Sequence, residues 1–270
     1  MGKLVTFWSP VSGQAKTTAS MIAVASALAL AHPSYDIAIT TVAKDETSLE
    51  DGLAAQQKWI GSEKLYGQSG ISALLLACKQ EILTREKIRR CALPLILPEA
   101  VLFPGLRQEI SIIHGREPEK LEHHILNDCI RTEFGITFLD LKAGFSMQSL
   151  RYMECADLSV VVLPQNPNIW KVFLEQKEKI RTNQWFVLFG GYLKNSKYNV
   201  HCYKRNRYGI PGSKNGVIPM CEGYMDAFAD GKAMEFFLKN EFAGKKDENY
   251  EFMENVKKAA KGISDGIFLS

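Results

Sequence analysis

The stretch SPVSGQAKTT, residues 9–18, decides the fold of this chain. It follows a short run rich in β-formers, KLVTFW at 3–8, and leads into an alanine- and leucine-rich run, 17–31, that ends before His32-Pro33. The first run predicts a buried strand and the second predicts a helix. A strand, a tight loop and an apolar helix together begin a βαβ unit.

The loop carries Lys16 and Thr17 in the order of the P-loop pattern G-x-x-x-x-G-K-[ST]. In such a loop, backbone N–H groups and the helix N-terminus hold phosphate oxygens. Lys16 is predicted to reach the β- and γ-phosphates, and the Thr17 hydroxyl to bind Mg²⁺. The predicted phosphate cradle is the whole loop: Ser12, Gly13, Gln14, Ala15, Lys16, Thr17 and Thr18. The alternative is an ordinary strand-to-helix turn in which Thr17 acts only as a cap.

An acidic residue, Asp140, ends a second predicted strand, FGITFLDL at 134–141, and Lys142-Ala143-Gly144 follow it. A carboxylate at the end of a strand beside a P-loop is where a Walker B group belongs, holding Mg²⁺ directly or through water. Asp140 is therefore a predicted metal ligand together with Thr17, and a predicted catalytic residue together with Lys16. The alternative is a turn or capping aspartate.

Strand and helix patterns alternate along the rest of the chain. Further strands are expected at 36–42, 100–103, 158–163, 185–189 and 216–218, and helices at 71–79, 84–90, 119–132, 167–182, 226–240 and 250–268. This order predicts an α/β fold with three layers: a doubly wound, mostly parallel sheet between two layers of helices. We expect a nucleotide-binding domain over 1–243 and a C-terminal helical tail over 244–270.

Composition indicates an ordinary globular protein of 270 residues, with 46% hydrophobic and 23% charged residues. A net charge of +3 is too small to indicate nucleic-acid binding by itself. The six cysteines are scattered without a C-x-x-C pair, so a reducing cytoplasm is the expected setting. The longest apolar stretch, 21–31, is too short to cross a bilayer.

Four segments resemble the ParA/MinD-type ATPases, whose P-loop departs from the usual pattern: SPVSGQAKTT at 9–18, FLDLKAG at 138–144, ADLSVVVLP at 156–164 and VIPMCEGYMDAFADG at 217–231. Residues 70–87 and 100–105 are most similar to the TadZ/CpaE branch. The resemblance implies that the chain binds ATP with Mg²⁺, that Pro219 packs beside the base, and that the chain forms a homodimer. It also implies a switch that organises a larger assembly through protein partners, such as a pilus, a secretion or conjugation apparatus, or a plasmid.

Three departures from the family pattern bear on catalysis. Val11 stands where the family has a signature lysine, and Ala15 replaces the glycine before Lys16, adding a methyl group near the expected phosphate. Asp45 is the candidate for the aspartate of the first switch, a third predicted catalytic residue. These departures favour slow or absent ATP hydrolysis.

Two other functions remain open at this point. A non-catalytic scaffold would keep the fold and use nucleotide, if at all, for structure. A DNA-binding partition protein would use the basic, tyrosine-rich segment 192–208, which is otherwise a solvated loop. The amphipathic segment 250–268 either lies at a membrane surface or docks on its own domain.

Overall fold

A computed structural model describes residues 1–43, 49–53, 69–80, 83–97, 99–106, 118–205, 208 and 214–268. Within these residues one sheet forms in the order β3-β4-β2-β5-β1-β6-β7-β8. Its strands are β1 (Lys3–Trp8), β2 (Ile37–Thr41), β3 (Leu93–Pro94), β4 (Ala100–Phe103), β5 (Ile136–Asp140), β6 (Leu158–Leu163), β7 (Trp185–Tyr192) and β8 (Lys214–Pro219). Only the pairing of β3 with β4 is antiparallel.

The helices of the described ranges lie on both faces of this sheet. They are α1 (Thr17–Ala31), α2 (Gly70–Gln80), α3 (Arg85–Arg90), α4 (Pro118–His124), α5 (Met147–Cys155), α6 (Pro167–Gln176), α7 (Val200–Arg205), α8 (Glu222–Ala229), α9 (Ala233–Lys239) and α10 (Tyr250–Phe268). Helix α4 continues as a π-helical turn, Ile125–Ile130, and a last α-helical turn, Arg131–Glu133.

The strands divide the core into two clusters because neighbouring side chains point to opposite faces. On β1, Val5 and Phe7 pack with α1, whereas Leu4 and Trp8 pack on the opposite face with residues of α2, α5 and α6. This arrangement confirms the predicted three-layer, mostly parallel α/β fold.

Helix α1 is buried on all sides, from Ala19 to Ala29. It lies between the sheet and helices α9 and α10, which explains why its sequence shows no polar face. Helix α10 turns Phe252, Val256 and Ile263 into the same cluster. In the described part of the chain no helix is both long and apolar enough to span a membrane. The predicted division of the chain at residue 244 stays a prediction.

Strand β1 lies where the chain order of the sheet reverses. Its neighbours are β5 on one side, with Phe7 opposite Asp140, and β6 on the other. Ligands of doubly wound sheets bind outside the carboxyl ends of the strands at this reversal. The sheet therefore places the loop after β1 and the end of β5 side by side.

The structure differs from the sequence-based prediction in three helical regions. The helix expected over 226–240 is two helices, α8 and α9, separated at Gly231, whose φ of 72° is left-handed. Helix α5 was not predicted, although Ser146 caps it by accepting a hydrogen bond from the Ser149 N–H. Helix α7 lies inside the segment expected to be a solvated loop.

Candidate functional site

The loop after β1 is fixed to the loop after β5 by two hydrogen bonds. The Trp8 Nε1–H donates to the Gly144 carbonyl at 2.8 Å, and the Gly144 N–H donates to the Ser9 carbonyl at 3.0 Å. The two loops that carry the predicted site residues are therefore held together at their bases.

The backbone of the loop takes left-handed conformations at two points, Gly13 with φ 74° and Lys16 with φ 55°. Lys16 is the residue before α1, and no side chain caps the helix there. The first N–H groups of a helix lack partners within the helix and carry partial positive charge. An uncapped N-terminus beside Lys16 therefore favours an anion.

Asp140 is an acidic group in contact with the start of this helix. Its Oδ2 accepts a 2.6 Å hydrogen bond from the Thr18 hydroxyl, and the residue is 5% exposed. This hydrogen bond places Asp140 beside the first turn of α1, which begins at Thr17, the other predicted metal ligand.

A cavity of about 300 Å³ opens at this point. Its lining residues come from the β1–α1 loop, the end of β5 and α8: Val11, Ser12, Gly13, Lys16, Thr17, Thr18, Ala19, Asp140, Leu141, Ala143, Met225 and Phe228. Six of the predicted residues thus meet around one space. A Cβ added at Gly13 would meet no described atom within 4 Å, so the space beside it is open.

Four predicted residues lie elsewhere. Gln14 is exposed at the tip of the loop. Pro219 ends β8 opposite Tyr192 and is not among the cavity-lining residues of the described chain. Asp45 lies outside the described residues.

The fourth, Ala15, is 1% exposed and packs in the core with α1. Its methyl group points away from the cavity, so the expected crowding of a phosphate by this methyl group was wrong. Only the Ala15 backbone remains a candidate for the phosphate cradle.

Two glycines at the end of β7 support the loop, and sequence reasoning missed them. A Cβ at Gly190 would lie 2.0 Å from the Ala15 carbonyl oxygen. Gly191 has φ 60°, and a Cβ there would lie 3.3 Å from Lys16 Cγ. A Gly-Gly pair at the end of an apolar strand was the available signal, since strand glycines often mark a close backbone approach.

The residues present fit a magnesium ion beside a bound phosphate. Mg²⁺ in phosphate sites uses one or two protein oxygen ligands and keeps several waters. Asp140 and Thr17 supply a carboxylate and a hydroxyl on the cavity wall. Within the described residues, no cluster of three or more histidine, cysteine, aspartate or glutamate side chains offers an all-protein metal site.

Comparisons of sequence give no relative for this chain: no protein-family profile and no curated protein matches it. Comparisons of structure, in contrast, give several similar proteins. A ParA family ATPase from Chlorobium tepidum TLS superimposes with a TM-score of 0.73, at 12% identity, covering 97% of this chain and 99% of that one.

Two MinD structures also match. MinD of Pyrococcus horikoshii OT3, complexed with Mg-ADP, gives a TM-score of 0.59 at 12% identity, covering 100% of this chain and 98% of that one. A MinC:MinD complex of Aquifex aeolicus gives 0.61 at 14% identity, covering 97% of this chain and 96% of that one. These likenesses do not separate the branches of the group, so the TadZ/CpaE branch stays a prediction. With the sheet order and the loop between β1 and α1, they show that this chain has the P-loop fold of the ParA and MinD ATPases.

Proposed function

We propose that this chain is a nucleotide-binding switch protein that binds ATP with Mg²⁺ at the cavity between the β1–α1 loop and Asp140. The observation that carries the proposal is the convergence of the uncapped α1 N-terminus, Lys16 and a buried carboxylate on one open space. These are the groups that phosphate and Mg²⁺ require.

Each residue has a defined role in this proposal. Lys16 and the N–H groups at the start of α1 hold the phosphates, and Thr17 and Asp140 hold the ion. Mg²⁺, when bound, neutralises phosphate charge. The Thr18 hydrogen bond keeps the Asp140 carboxylate aimed at the helix start.

We further propose a homodimer that works with protein partners in a larger assembly. MinD of Aquifex aeolicus has been solved together with MinC, which supports a protein partner for a chain of this fold. Val11 lines the cavity where the family places its signature lysine, so this dimer is expected to hydrolyse ATP slowly or not at all.

The first prediction tests the site by calorimetric titration with Mg·ATP. Lys16→Ala removes the phosphate cation, and binding should be lost while the circular dichroism spectrum stays native. Lys258→Ala, an exposed lysine on α10, is the matched control and should bind normally. Equal affinity for Mg·ATP in Lys16→Ala and the wild type would contradict binding at the proposed site.

A parallel titration tests the role of Asp140 as a ligand of Mg²⁺. Asp140→Asn keeps a hydrogen-bonding partner for Thr18 but loses the charge that attracts Mg²⁺. Its nucleotide affinity should respond less to added Mg²⁺ than that of the wild type. An identical Mg²⁺ response would make Asp140 a structural residue only.

The second candidate function is a non-catalytic scaffold of the same fold, and Val11 is the residue that favours it. The two functions separate when dimerisation is measured by light scattering alongside phosphate release. Dimerisation that requires ATP supports the switch, whereas an oligomeric state indifferent to ATP supports the scaffold.

The DNA-binding alternative finds less support in the described residues. Tyr198, Tyr203 and Tyr208 pack around Trp170, with ring centroids 5.3–6.4 Å from it. Lys194 pairs with Glu251 on α10 at 2.9 Å. These tyrosines contribute to the core and do not form a stacking platform for bases. Salt-dependent retention of the protein on DNA would support this alternative.

A further inference from the structure

A second cavity, of about 210 Å³, lies between α4 and α5 on the sheet face opposite α1. The described residues that line it are polar or basic: Lys120, His123, Gln148, Arg151 and Tyr152. The nucleotide proposal uses none of these residues. Three of the five side chains carry or can accept a positive charge, which is the composition of an anion site.

Arg151 is the group best placed to bind a ligand. It is exposed and lines the cavity, and among the described residues its guanidinium makes no hydrogen bond and no ion pair. A planar guanidinium with free N–H groups binds carboxylate or phosphate with two parallel hydrogen bonds. The rings of His123 and Tyr152 stack on each other at 5.4 Å between centroids, and both residues line the same cavity.

One buried carboxylate, Glu122, partly offsets these cations. It is 0% exposed, and its Oε2 accepts a 2.9 Å hydrogen bond from Gln148 Nε2. This bond fixes the Gln148 amide and ties α5 to α4. Among the described residues that line the cavity, the basic groups outnumber this one carboxylate.

The backbone beside the cavity is unusual. The π-helical turn begins at Ile125, two residues after His123, and Asn127 Nδ2 donates to the His123 carbonyl at 3.2 Å. Single π-helical turns are rare and occur frequently at functional sites. The turn therefore gives a second reason, independent of charge, to assign a function to this region.

We propose that this cavity binds a small organic anion, whose carboxylate or phosphate group pairs with Arg151 on a wall that Lys120 also lines. Its volume of about 210 Å³ equals about seven waters at ~30 Å³ each, the size of a small dicarboxylate or a phosphate ester. The side chains of His123 and Tyr152 pack against the carbon skeleton of the ligand.

The cavity is connected to the loop that follows Asp140. Gln148 and Arg151 lie in the first half of α5, and Ser149 Oγ of the same helix donates to the Lys142 carbonyl at 2.9 Å. An anion that clamps α5 against α4 therefore also biases the loop after Asp140. This coupling rests on the proposed nucleotide site, and the effect must be reciprocal: nucleotide changes the affinity for the anion by the same factor.

The binding itself is tested by calorimetric titration of the full chain with succinate and with inorganic phosphate, at an ionic strength held constant with chloride. Saturable binding of one of them should weaken about tenfold or more in Arg151→Gln, which loses charged hydrogen bonds. The matched control is Arg205→Gln, an exposed arginine on α7, which should bind as the wild type does. Lys120→Gln provides a second variant should Arg151→Gln not fold.

The P-loop also attracts anions, so each titration is repeated in Lys16→Ala. Binding lost in Lys16→Ala but retained in Arg151→Gln would belong to the P-loop and overturn the proposal. Absence of saturable binding up to about 10 mM would overturn it as well. Neither result depends on whether the chain binds ATP.

A separate titration tests the coupling. The affinity for Mg·ATP should change about fivefold or more when the anion is present at a saturating concentration. This change should disappear in Arg151→Gln. An ATP affinity indifferent to the anion would overturn the coupling. Failure of ATP binding altogether would count against the proposed nucleotide site, with the anion titrations still deciding the second cavity.

Discussion

At the scale of single residues, Val11 places an uncharged side chain on the wall of the cavity that Lys16 also lines. Phosphoryl transfer builds negative charge on the transferred group, and a cation placed there contributes about a thousandfold or more to the rate. Val11→Lys should therefore raise steady-state phosphate release at saturating ATP. Val11→Met introduces a side chain that is close to lysine in length but uncharged, and it should not raise the rate of phosphate release. Brisk wild-type hydrolysis that depends on Lys16 would contradict this account.

Two buried tyrosines provide a matched test of hydroxyl satisfaction. Within the described residues the Tyr203 hydroxyl has no hydrogen-bond partner, whereas the Tyr224 hydroxyl donates to the Ala19 carbonyl at 2.7 Å. Burial raises the pKa of both phenols, so both are neutral at pH 7. Tyr203→Phe should leave the free energy of unfolding unchanged or raise it by about 1 kcal/mol, and Tyr224→Phe should lower it by about 1 kcal/mol. Urea denaturation of both variants measures the difference, and a larger loss in Tyr203→Phe would show that its hydroxyl has a partner.

Residue types in the loop could be predicted because chemistry restricts them, but the directions in which their side chains point could not. Lys16 and Thr17 stand in a known order, and both line the cavity. Whether the Ala15 methyl group faces a phosphate or the core depends on backbone dihedral angles and on the neighbouring end of β7. For the same reason the hydrogen bond between Thr18 and Asp140 could not be read from spacing.

At the scale of elements, the end of β7 supports the loop between β1 and α1. Gly190→Ala would push a methyl group into the Ala15 carbonyl oxygen and against the Ser20 hydroxyl. We expect a loss of about 1–3 kcal/mol in stability and weaker nucleotide binding, since the loop must shift.

Gly223→Ala on α8 is the control for this substitution. Its Cβ would meet Phe236 Cε2 at 3.4 Å, an ordinary contact, and alanine favours the helix. Thermal denaturation and ATP titration of both variants measure the effect. Unchanged ATP affinity in Gly190→Ala would show that β7 does not position the loop.

Long apolar elements could be predicted from periodicity, and short ones could not. The helix of residues 17–31 and the strand of residues 158–163 match α1 and β6 to the residue. Helices α5 and α7 are short, with nine and six residues, and tertiary packing rather than propensity stabilises them. The apolar spacing of residues 119–132 is that of an ordinary helix and gives no sign of the π-helical turn after α4.

At the scale of the whole molecule, α10 completes the layer that covers α1. Ile263 is 0% exposed, so Ile263→Asp would bury a charge in the core and should cost about 3 kcal/mol or more. Lys261→Asp introduces the same residue at an exposed position of the same helix and should change stability by about 0.5 kcal/mol or less. Urea denaturation distinguishes them, and similar losses would mean that α10 docks only loosely.

The position of β1 at the centre of the sheet has a consequence for the nascent chain. Its two neighbours are β5 and β6. Lys3 therefore cannot pair with Ile136, nor Val5 with Leu158, until those later residues have been synthesised. At a synthesis rate of about 5–20 residues per second, the ribosome needs on the order of ten seconds to reach them. During that interval the apolar segment 3–31 has been synthesised but β1 has no partner strand, so this segment is a natural client for a chaperone that shields it as it emerges.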